Sequence, residues 1–404
     1  MTAAAASTRP GTLTLLAPAG VQAPTGGNIY DRRLVDALRD LGVSARLVEV
    51  PGPWPDDSAA AGERLCAAAA DAVDAAGAAD GSGASGPSAV LIDGLLAAGC
   101  PQAVGRLAAE AHLGIIAHLP AELETGLPPK RRERLARSEA QAMRAAHVIV
   151  CPSRWTAEFL SDTYGLGEAH DRGGPRLVVA HPGTDLLPAA DRGPVSTAGE
   201  GAGRRARAAA GAAPPAVTCL AALTPRKNTA ALVEALAAHV DRPWSLTLCG
   251  PDDHDPGYAA RLRARADAPD VRGRVTVRGA AAGADLEELW RRTDLLVLPS
   301  LAETFGMVVT EALVRGVPAV VTAGTGAQEA LGLGGEPTPG AAVDLTDLPR
   351  TLGRWLLDER LRADWATAAA RAAERLPTWR DTARAVASAF ALPAAAAEEA
   401  EARR

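Results

Sequence analysis

The chain has 404 residues, 48% of them hydrophobic and 22% charged, with a formal net charge of −6. This apolar content excludes a disordered chain and is enough for two cores. The acidic balance argues against a nucleic-acid binder, which needs a basic face. Of the 42 basic residues only Lys130 and Lys227 are lysines. Where nearly every cation is arginine, a position that stays lysine is worth examining.

Five cysteines, Cys66, Cys100, Cys151, Cys219 and Cys249, form an odd set with no C-x-x-C. Neither a disulfide framework nor a zinc site is suggested, and reduced cytoplasmic thiols are expected. Met1 to Pro10 lacks a basic-then-apolar leader pattern. No apolar run approaches the roughly 18 residues of a membrane span, so no transmembrane segment and a cytoplasmic location are expected.

Along the chain, short apolar runs alternate with longer amphipathic stretches. Strands are expected at Thr12 to Leu16, Ala45 to Val50, Ala89 to Ile92, Ile115 to His118, His147 to Cys151 and Arg176 to Ala180. Helices are expected near Asn28 to Leu41, Ala59 to Ala76 and Arg131 to Ala146. Residues 186–216, rich in Gly, Ala, Pro and Arg, read as a flexible interdomain segment with a short helix at Arg204 to Ala210.

A second series has strands at Val217 to Ala222, Ser245 to Cys249, Val275 to Val277, Leu295 to Leu298 and Ala319 to Thr322. Its helices lie near Thr229 to Val240, Tyr258 to Ala266, Asp285 to Arg291, Gly306 to Arg315 and Leu348 to Arg375. A helix from Thr378 to Phe390 is placed back on the first domain, and 393–404 reads as a disordered tail. Strand–helix alternation predicts α/β layers on parallel sheets. The expectation is therefore two Rossmann-like domains, 1–185 and 217–377, facing each other across a ligand cleft, with 378–392 returning to the first.

The strongest chemical signal is Pro299-Ser300-Leu301-Ala302-Glu303-Thr304-Phe305-Gly306-Met307-Val308-Val309-Thr310-Glu311. A buried strand ends, a loop presents Glu303, and a helix opens near Gly306, where free N–H groups and the helix dipole favour an anion. Glu311 stands further along that helix. Carboxylate, anion pocket, carboxylate matches the layout of a nucleotide sugar: sugar hydroxyls, diphosphate, ribose.

Leu223-Thr224-Pro225-Arg226-Lys227-Asn228 follows the first strand of the second domain. Adjacent cations at a helix start oppose the dipole but suit a diphosphate held without a metal. Two weaker signals lie in the first domain. Gly26 and Gly27 permit close approach to a ligand, and His118 stands at a strand's C-terminal edge.

Together these residues resemble glycosyltransferase family 4, retaining enzymes of the GT-B fold. The resemblance runs from Thr12 to about Phe390. It includes Val148-Ile149-Val150-Cys151-Pro152-Ser153-Arg154-Trp155-Thr156, the crossover Val179-Ala180-His181-Pro182-Gly183-Thr184-Asp185, Leu248-Cys249-Gly250-Pro251 and Ala323-Gly324-Thr325-Gly326-Ala327-Gln328-Glu329. It implies that Glu303 holds sugar hydroxyls, that amides of Phe305, Gly306 and Met307 meet sugar and phosphate, and that Glu311 binds the ribose. By the same resemblance Arg226 and Lys227 hold the diphosphate and stabilise the leaving group, Gly27 approaches the distal phosphate, His118 contacts the sugar, and Arg278 meets the base. Glu303, His118, Arg226 and Lys227 would be the catalytic set. Two departures stand out. Ala221 and Ala222 occupy positions where many members carry arginine, so Arg226 is the candidate substitute. Ala121-Glu122-Leu123-Glu124-Thr125-Gly126 also differs from familiar members.

Gly324-Thr325-Gly326 mimics half of a dinucleotide fingerprint, but Glu329 sits at the third glycine. Asp252-Asp253-His254-Asp255 invites a metal reading, yet Pro251, Pro256 and Gly257 frame it as a polar turn. The expected activity is transfer of a sugar from a UDP- or GDP-sugar co-substrate, with retention and no metal or other cofactor, to an acceptor. A small soluble acceptor is favoured over a lipid because the basic cluster Lys130-Arg131-Arg132-Glu133-Arg134 reads as a solvated face. Rival readings are a phosphorylase-like or sugar-phosphate enzyme using an unusual nucleophile such as a thiol or phosphate, and a non-catalytic nucleotide-sugar sensor. The sequence sets no oligomeric state.

Overall fold

Leu13, Leu15 and Leu16 in Thr12–Pro18 are fully buried, as a strand covered on both faces requires. In the computed structural model, which describes residues 11–20, 25–79, 89–167, 174–185 and 214–392, this run is β1, an inner strand of a six-stranded parallel sheet. The other strands are β2 (Ser44–Val50), β3 (Ala89–Asp93), β4 (His112–Ile116), β5 (Val148–Cys151) and β6 (Arg176–Val179), in the order β2-β1-β3-β4-β5-β6. Between them run α1 (Gly26–Asp40), α2 (Ala59–Ala79), α3 (Gly94–Ala97), α4 (Pro101–Glu110), α5 (Pro129–Ala145) and α6 (Arg154–Tyr164). The core joins Leu16, Ile92, Ile115 and Ile149 from the strands to Leu65, Val104, Met143 and Leu160 from the helices.

The second sheet has the order β12-β11-β10-β7-β8-β9, again parallel. Its strands are β7 (Ala216–Leu220), β8 (Ser245–Cys249), β9 (Val275–Arg278), β10 (Leu295–Leu298), β11 (Ala319–Thr322) and β12 (Gly340–Val343). The helices are α7 (Thr229–Ala237), α8 (Pro256–Ala266), α9 (Gly283–Arg292), α10 (Met307–Val314), α11 (Gly326–Gly332), α12 (Leu348–Leu357) and α13 (Glu359–Ala372). One core packs Trp244, Leu246 and Trp355, and another packs Leu298, Phe305, Val309 and Leu313.

By contacts, residues 1–183 and 378–404 form one compact unit and 184–377 the other. The C-terminal helix α14 (Trp379–Ala389) belongs to the first unit. A capping box between Thr378 and Asp381 starts it. The Trp379 ring meets Tyr30 edge-on at 5.7 Å, Thr382 Oγ1 donates to the His181 carbonyl at 2.7 Å, and Arg176 donates to the Ala389 carbonyl at 2.5 Å.

The expected segment at 204–210, most of the linker 186–216 and the tail 393–404 lie outside the described residues. Ala216 opens β7 rather than closing the linker. The expected single helix from Leu348 to Arg375 is two helices. Asp358 breaks it by accepting the Leu361 N–H at 2.9 Å as an N-cap. Helices α3, α4 and α11 and strand β12 were not legible. β12 is Gly-Ala-Ala-Val, with only one β-branched residue, and it pairs with β11 because Gly340, at φ +140°, lets the backbones approach closely.

Both sheets reverse strand order part-way across, between β1 and β3 in the first and between β7 and β10 in the second. In open α/β sheets such switch points open crevices at the strands' carboxyl ends, where ligands bind.

Candidate active site

In the second unit, the loops after β7 and β10 flank the switch point. Pro225–Lys227 forms a single 3₁₀ turn, and Asn228 at φ +52° leads into α7. The Leu301 N–H donates to the Arg226 carbonyl at 2.8 Å, and the Arg226 guanidinium donates to the Ala302 carbonyl at 3.2 Å. The two loops are thereby stitched together through the residues that carry the charges. Lys227 Nζ donates to Glu303 Oε2 at 2.5 Å, and Ser300 Oγ donates to the same oxygen at 3.1 Å. Both side chains of the pair are largely withdrawn from solvent, with 16% and 10% exposed.

Burial alone would raise the Glu303 carboxyl. Lys227 and Arg226 outweigh it and hold the group below the ordinary glutamate value. Behind the carboxylate, the Gly326 N–H donates to the Glu303 carbonyl at 2.7 Å. A Cβ at Gly326 would run into the Thr304 carbonyl, so only glycine allows this seat. Gly306, at φ +83°, turns the chain into α10 without a side-chain cap. Phe305 is buried beside it and Met307 opens the helix.

Glu311 is half-buried on α10. Burial pushes its carboxyl up, and nearby Glu287 adds to the rise. Arg315 does not offset this fully. It pairs with Glu287 at 2.6 Å and donates to the backbone carbonyl of Glu311 at 2.9 Å. Arg278 ends β9 on the same sheet edge and pairs with Asp285 at 3.5 Å. The structure thus joins Arg226, Lys227 and Glu303 directly and continues through Phe305, Gly306 and Met307 towards Glu311. Arg278 stands two strands from β7.

In the first unit, His118 lies just past β4, whose last residue is Ile116 rather than His118 as expected. Gly26 and Gly27 open α1 after a capping box between Thr25 and Asn28. A Cβ on Gly27 would lie 3.2 Å from His118 Cδ2, so the glycine and the ring are neighbours. His118 Nε2 is 2.8 Å from Asp31 Oδ1 and 3.7 Å from Asp93 Oδ2. Tyr30 meets the ring edge-on at 5.4 Å and donates its hydroxyl to the Ala180 carbonyl at 2.9 Å.

Burial disfavours the charged imidazolium, but Asp31 and Asp93 override it and hold His118 up at about 9. Burial and the neighbouring Asp31 push Asp93 up to about 7. Among the described residues, Asp31, Asp93 and His118 are the His/Cys/carboxylate set whose ligand atoms come within 4.8 Å of one another. Within this set the His118 ring and Asp31 Oδ1 already lie at hydrogen-bond distance from each other.

Asp31, Asp93 and Ser300 escaped the sequence reading. Asp31 had a signal: it falls four residues after Gly27, on the helix face that also buries Tyr30, Leu34, Val35 and Leu38. An acid on that face asks for a partner. Asp255 caps α8 by accepting from the Tyr258 N–H at 2.8 Å, and Asp252 pairs with Arg263, so residues 252–255 form the polar turn expected. Burial raises all five thiols, Cys151 and Cys219 to about 12 and Cys100 to about 11. None is poised as a thiolate nucleophile at neutral pH.

With this geometry in view, residues 205–372 match the family described as "Glycosyl transferases group 1". Among curated proteins, the chain is 31% identical to mannosylfructose-phosphate synthase of Agrobacterium fabrum over 32% of its own length and 28% of that protein's. It is 30% identical to D-inositol 3-phosphate glycosyltransferase of Xylanimonas cellulosilytica over 67% of its own length and 63% of that protein's. The chain thus spans between about a quarter and two thirds of the curated relatives it matches. Among solved structures, sucrose-phosphate synthase of Thermosynechococcus elongatus superposes with a TM-score of 0.65 at 19% identity, covering 94% of this chain and 98% of that one. HepE of Anabaena in complex with UDP superposes at 0.63 and 18%, covering 94% and 99%. At these identities the likeness is one of fold, and that fold is GT-B: two α/β units, each on a parallel six-stranded sheet. No helix among the described residues is long and apolar enough to cross a membrane.

Proposed function

We propose that this protein is a glycosyltransferase of family 4 that moves a sugar from a nucleotide-diphosphate sugar to an acceptor with retention of configuration. The observation that carries the reading is the Lys227–Glu303 pair, set by two strand-end loops at the switch point of the second sheet. An ammonium for phosphate and a carboxylate for sugar hydroxyls are the two chemistries a nucleotide sugar asks for at adjacent atoms. The match of residues 205–372 to group 1 glycosyltransferases supports it.

In this reading the second unit holds the donor. Arg226 and Lys227 neutralise the diphosphate and stabilise the charge that grows on it as the glycosidic bond breaks. No metal is then needed for that charge. Glu303 is ionised and accepts from sugar hydroxyls, the start of α10 meets sugar and phosphate, and Glu311 takes the ribose. Front-face attack, with the departing phosphate receiving the acceptor proton, fits retention. His118 of the first unit contacts the sugar, and the acceptor binds on that unit.

A small soluble acceptor remains favoured. HepE is in complex with UDP, and one relative is a D-inositol 3-phosphate glycosyltransferase, so UDP-sugars and D-inositol 3-phosphate are the first to try. The test is thermal-shift screening with UDP-, GDP- and dTDP-sugars, since a ligand that binds only the native state raises its stability. Product analysis with the stabilising donor and a panel of acceptors follows. A donor that raises Tm and is consumed only when an acceptor is present is expected. Lys227→Ala and Glu303→Ala should each abolish transfer while leaving the circular dichroism spectrum intact. Wild-type turnover in either variant overturns the assignment. Sugar 1-phosphate formed from inorganic phosphate would favour the phosphorylase reading, and binding without transfer to any acceptor would favour the sensor.

A further inference from the structure

Asp31 is an acid without a local job. It is 1% exposed, in the body of α1, on the face that packs Tyr30, Leu34 and Val35 into the core. Withdrawing a carboxylate from water costs several kcal/mol unless a partner offsets it. Its Oδ1 faces His118 Nε2 at 2.8 Å, and its Oδ2 has no hydrogen-bond partner among the described residues. Asp93 differs: Oδ1 caps α3 by accepting the Leu95 N–H at 2.6 Å, while Oδ2 stands 3.7 Å from the same His118 nitrogen. Three elements, α1 and the ends of β3 and β4, therefore aim two acids at one imidazole nitrogen, beside the switch point of the first sheet. Gly27, one helical turn before Asp31, leaves space for the ring. The His118 side chain keeps 17% of its surface exposed, so part of a ring gripped from behind still meets solvent.

We propose that Asp31, backed by Asp93, is a positioning residue of the transfer reaction that fixes the His118 ring and keeps its proton in place against the sugar. The inference rests on the transferase reading above. A neutral imidazole whose Nε2–H faces the acids could abstract a proton at Nδ1, whereas one kept protonated by them donates a hydrogen bond from Nδ1–H instead. The titratable groups packed about the ring are Asp31 and Tyr30 from α1 and Asp93 from the end of β3; Cys151, at the end of β5, acts on the Tyr30 hydroxyl. Burial keeps Tyr30 and Cys151 neutral. The field at His118 therefore comes from the two aspartates.

Asp31→Asn keeps an acceptor for Nε2–H and removes the charge. In the full-length protein we expect the His118 Cε1–H resonance, assigned by its loss in His118→Gln, to titrate near 9 in wild type and at least about one unit lower in Asp31→Asn. The turnover of Asp31→Asn should fall at least tenfold, with donor KM within about twofold, and the alkaline limb of its kcat profile should move to lower pH. Asp31→Glu should restore part of the turnover. If Asp31→Asn does not fold, Asp93→Asn is read in the same way, with a smaller shift expected from its longer distance.

A His118 midpoint or a kcat–pH profile that coincides with wild type overturns the proposal. So does stoichiometric Zn²⁺ or Mn²⁺ bound by wild type and lost in Asp31→Asn, because the cluster would then serve a cation. Wild-type protein that transfers no sugar from any donor sinks the transferase reading itself. The resonance titration separates that failure from a fault in the Asp31–His118 pairing.

Discussion

Lys227 Nζ stands 2.5 Å from Glu303 Oε2, across 76 residues of chain, and the two groups neutralise each other where a donor's phosphate and sugar are proposed to lie. The ammonium and the carboxylate partner each other directly. A donor would exchange that contact for phosphate on the lysine and hydroxyls on the glutamate.

Lys227→Arg tests the compactness this exchange demands. A guanidinium keeps the charge but is planar and longer, and it cannot sit between Glu303 and a phosphate as a point charge does. Turnover is expected to fall at least about tenfold, equivalent to about 1.4 kcal/mol of transition-state stabilisation, with little change in Tm. Full activity in this variant would remove the argument that lysine is required here.

Gly326→Ala tests the seat of Glu303. The new Cβ would strike the Thr304 carbonyl, and the clash displaces backbone rather than a flexible side-chain tip. Overpacking of this kind costs about 1–3 kcal/mol, so Tm should drop and donor affinity should fall with it. Gly332→Ala, with open space around its Cβ on the same helix, is the control and should be near neutral. Equal Tm values for the two variants would refute the account.

Glu139→Gln tests a buried carboxyl. Glu139 on α5 accepts the Tyr164 hydroxyl at 2.7 Å and the Ala121 N–H at 2.8 Å, both on Oε2, and burial pushes it up to about 7. Because the folded value lies above the unfolded one, its contribution to stability is fully present below about 4.5 and is lost as pH rises through about 7. Glutamine cannot ionise but still offers one oxygen to both donors. The difference in Tm between pH 5 and pH 8 should therefore shrink in the variant. An unchanged difference would show that Glu139 does not titrate in this range.

Gly114→Ala tests the docking of the C-terminal helix. A Cβ at Gly114 on β4 would lie 2.5 Å from Phe390 Cζ, and that ring packs at 5.1 Å from His112. The variant should loosen the end of α14, seen as faster amide exchange over residues 379–390 and a lower Tm. Adding Phe390→Leu should recover part of the loss, because the smaller side chain vacates the contested space. No recovery in the double variant would place the cost elsewhere.

Much of the architecture was legible because its causes are local. Buried strands read as short apolar runs, helices as amphipathic stretches, and Gly26-Gly27, Arg226-Lys227 and Glu303 to Glu311 each announce themselves within a dozen residues at the end of a strand. β12 and α3 did not: Gly-Ala-Ala-Val lacks the Val-, Ile- and Leu-rich run that marks the equally short β5 and β10, and a four-residue helix carries too little periodicity to register. The break at Asp358 was hidden because Leu-Leu-Asp-Glu continues an apolar helical pattern, and only the cap geometry ends it.

The sequence by itself determined two parallel α/β units and the kinds of side chain that their strand-end loops present. Only the tertiary structure decided which of those loops become neighbours. Lys227 meets Glu303 because β10 lies beside β7, and Asp31 meets His118 across 87 residues because β1 and β4 flank β3. Strand order is set by burial between residues far apart in the chain, and no local pattern encodes it. Asp31 on an apolar helix face looks like an error until the fold brings it the imidazole that offsets its charge.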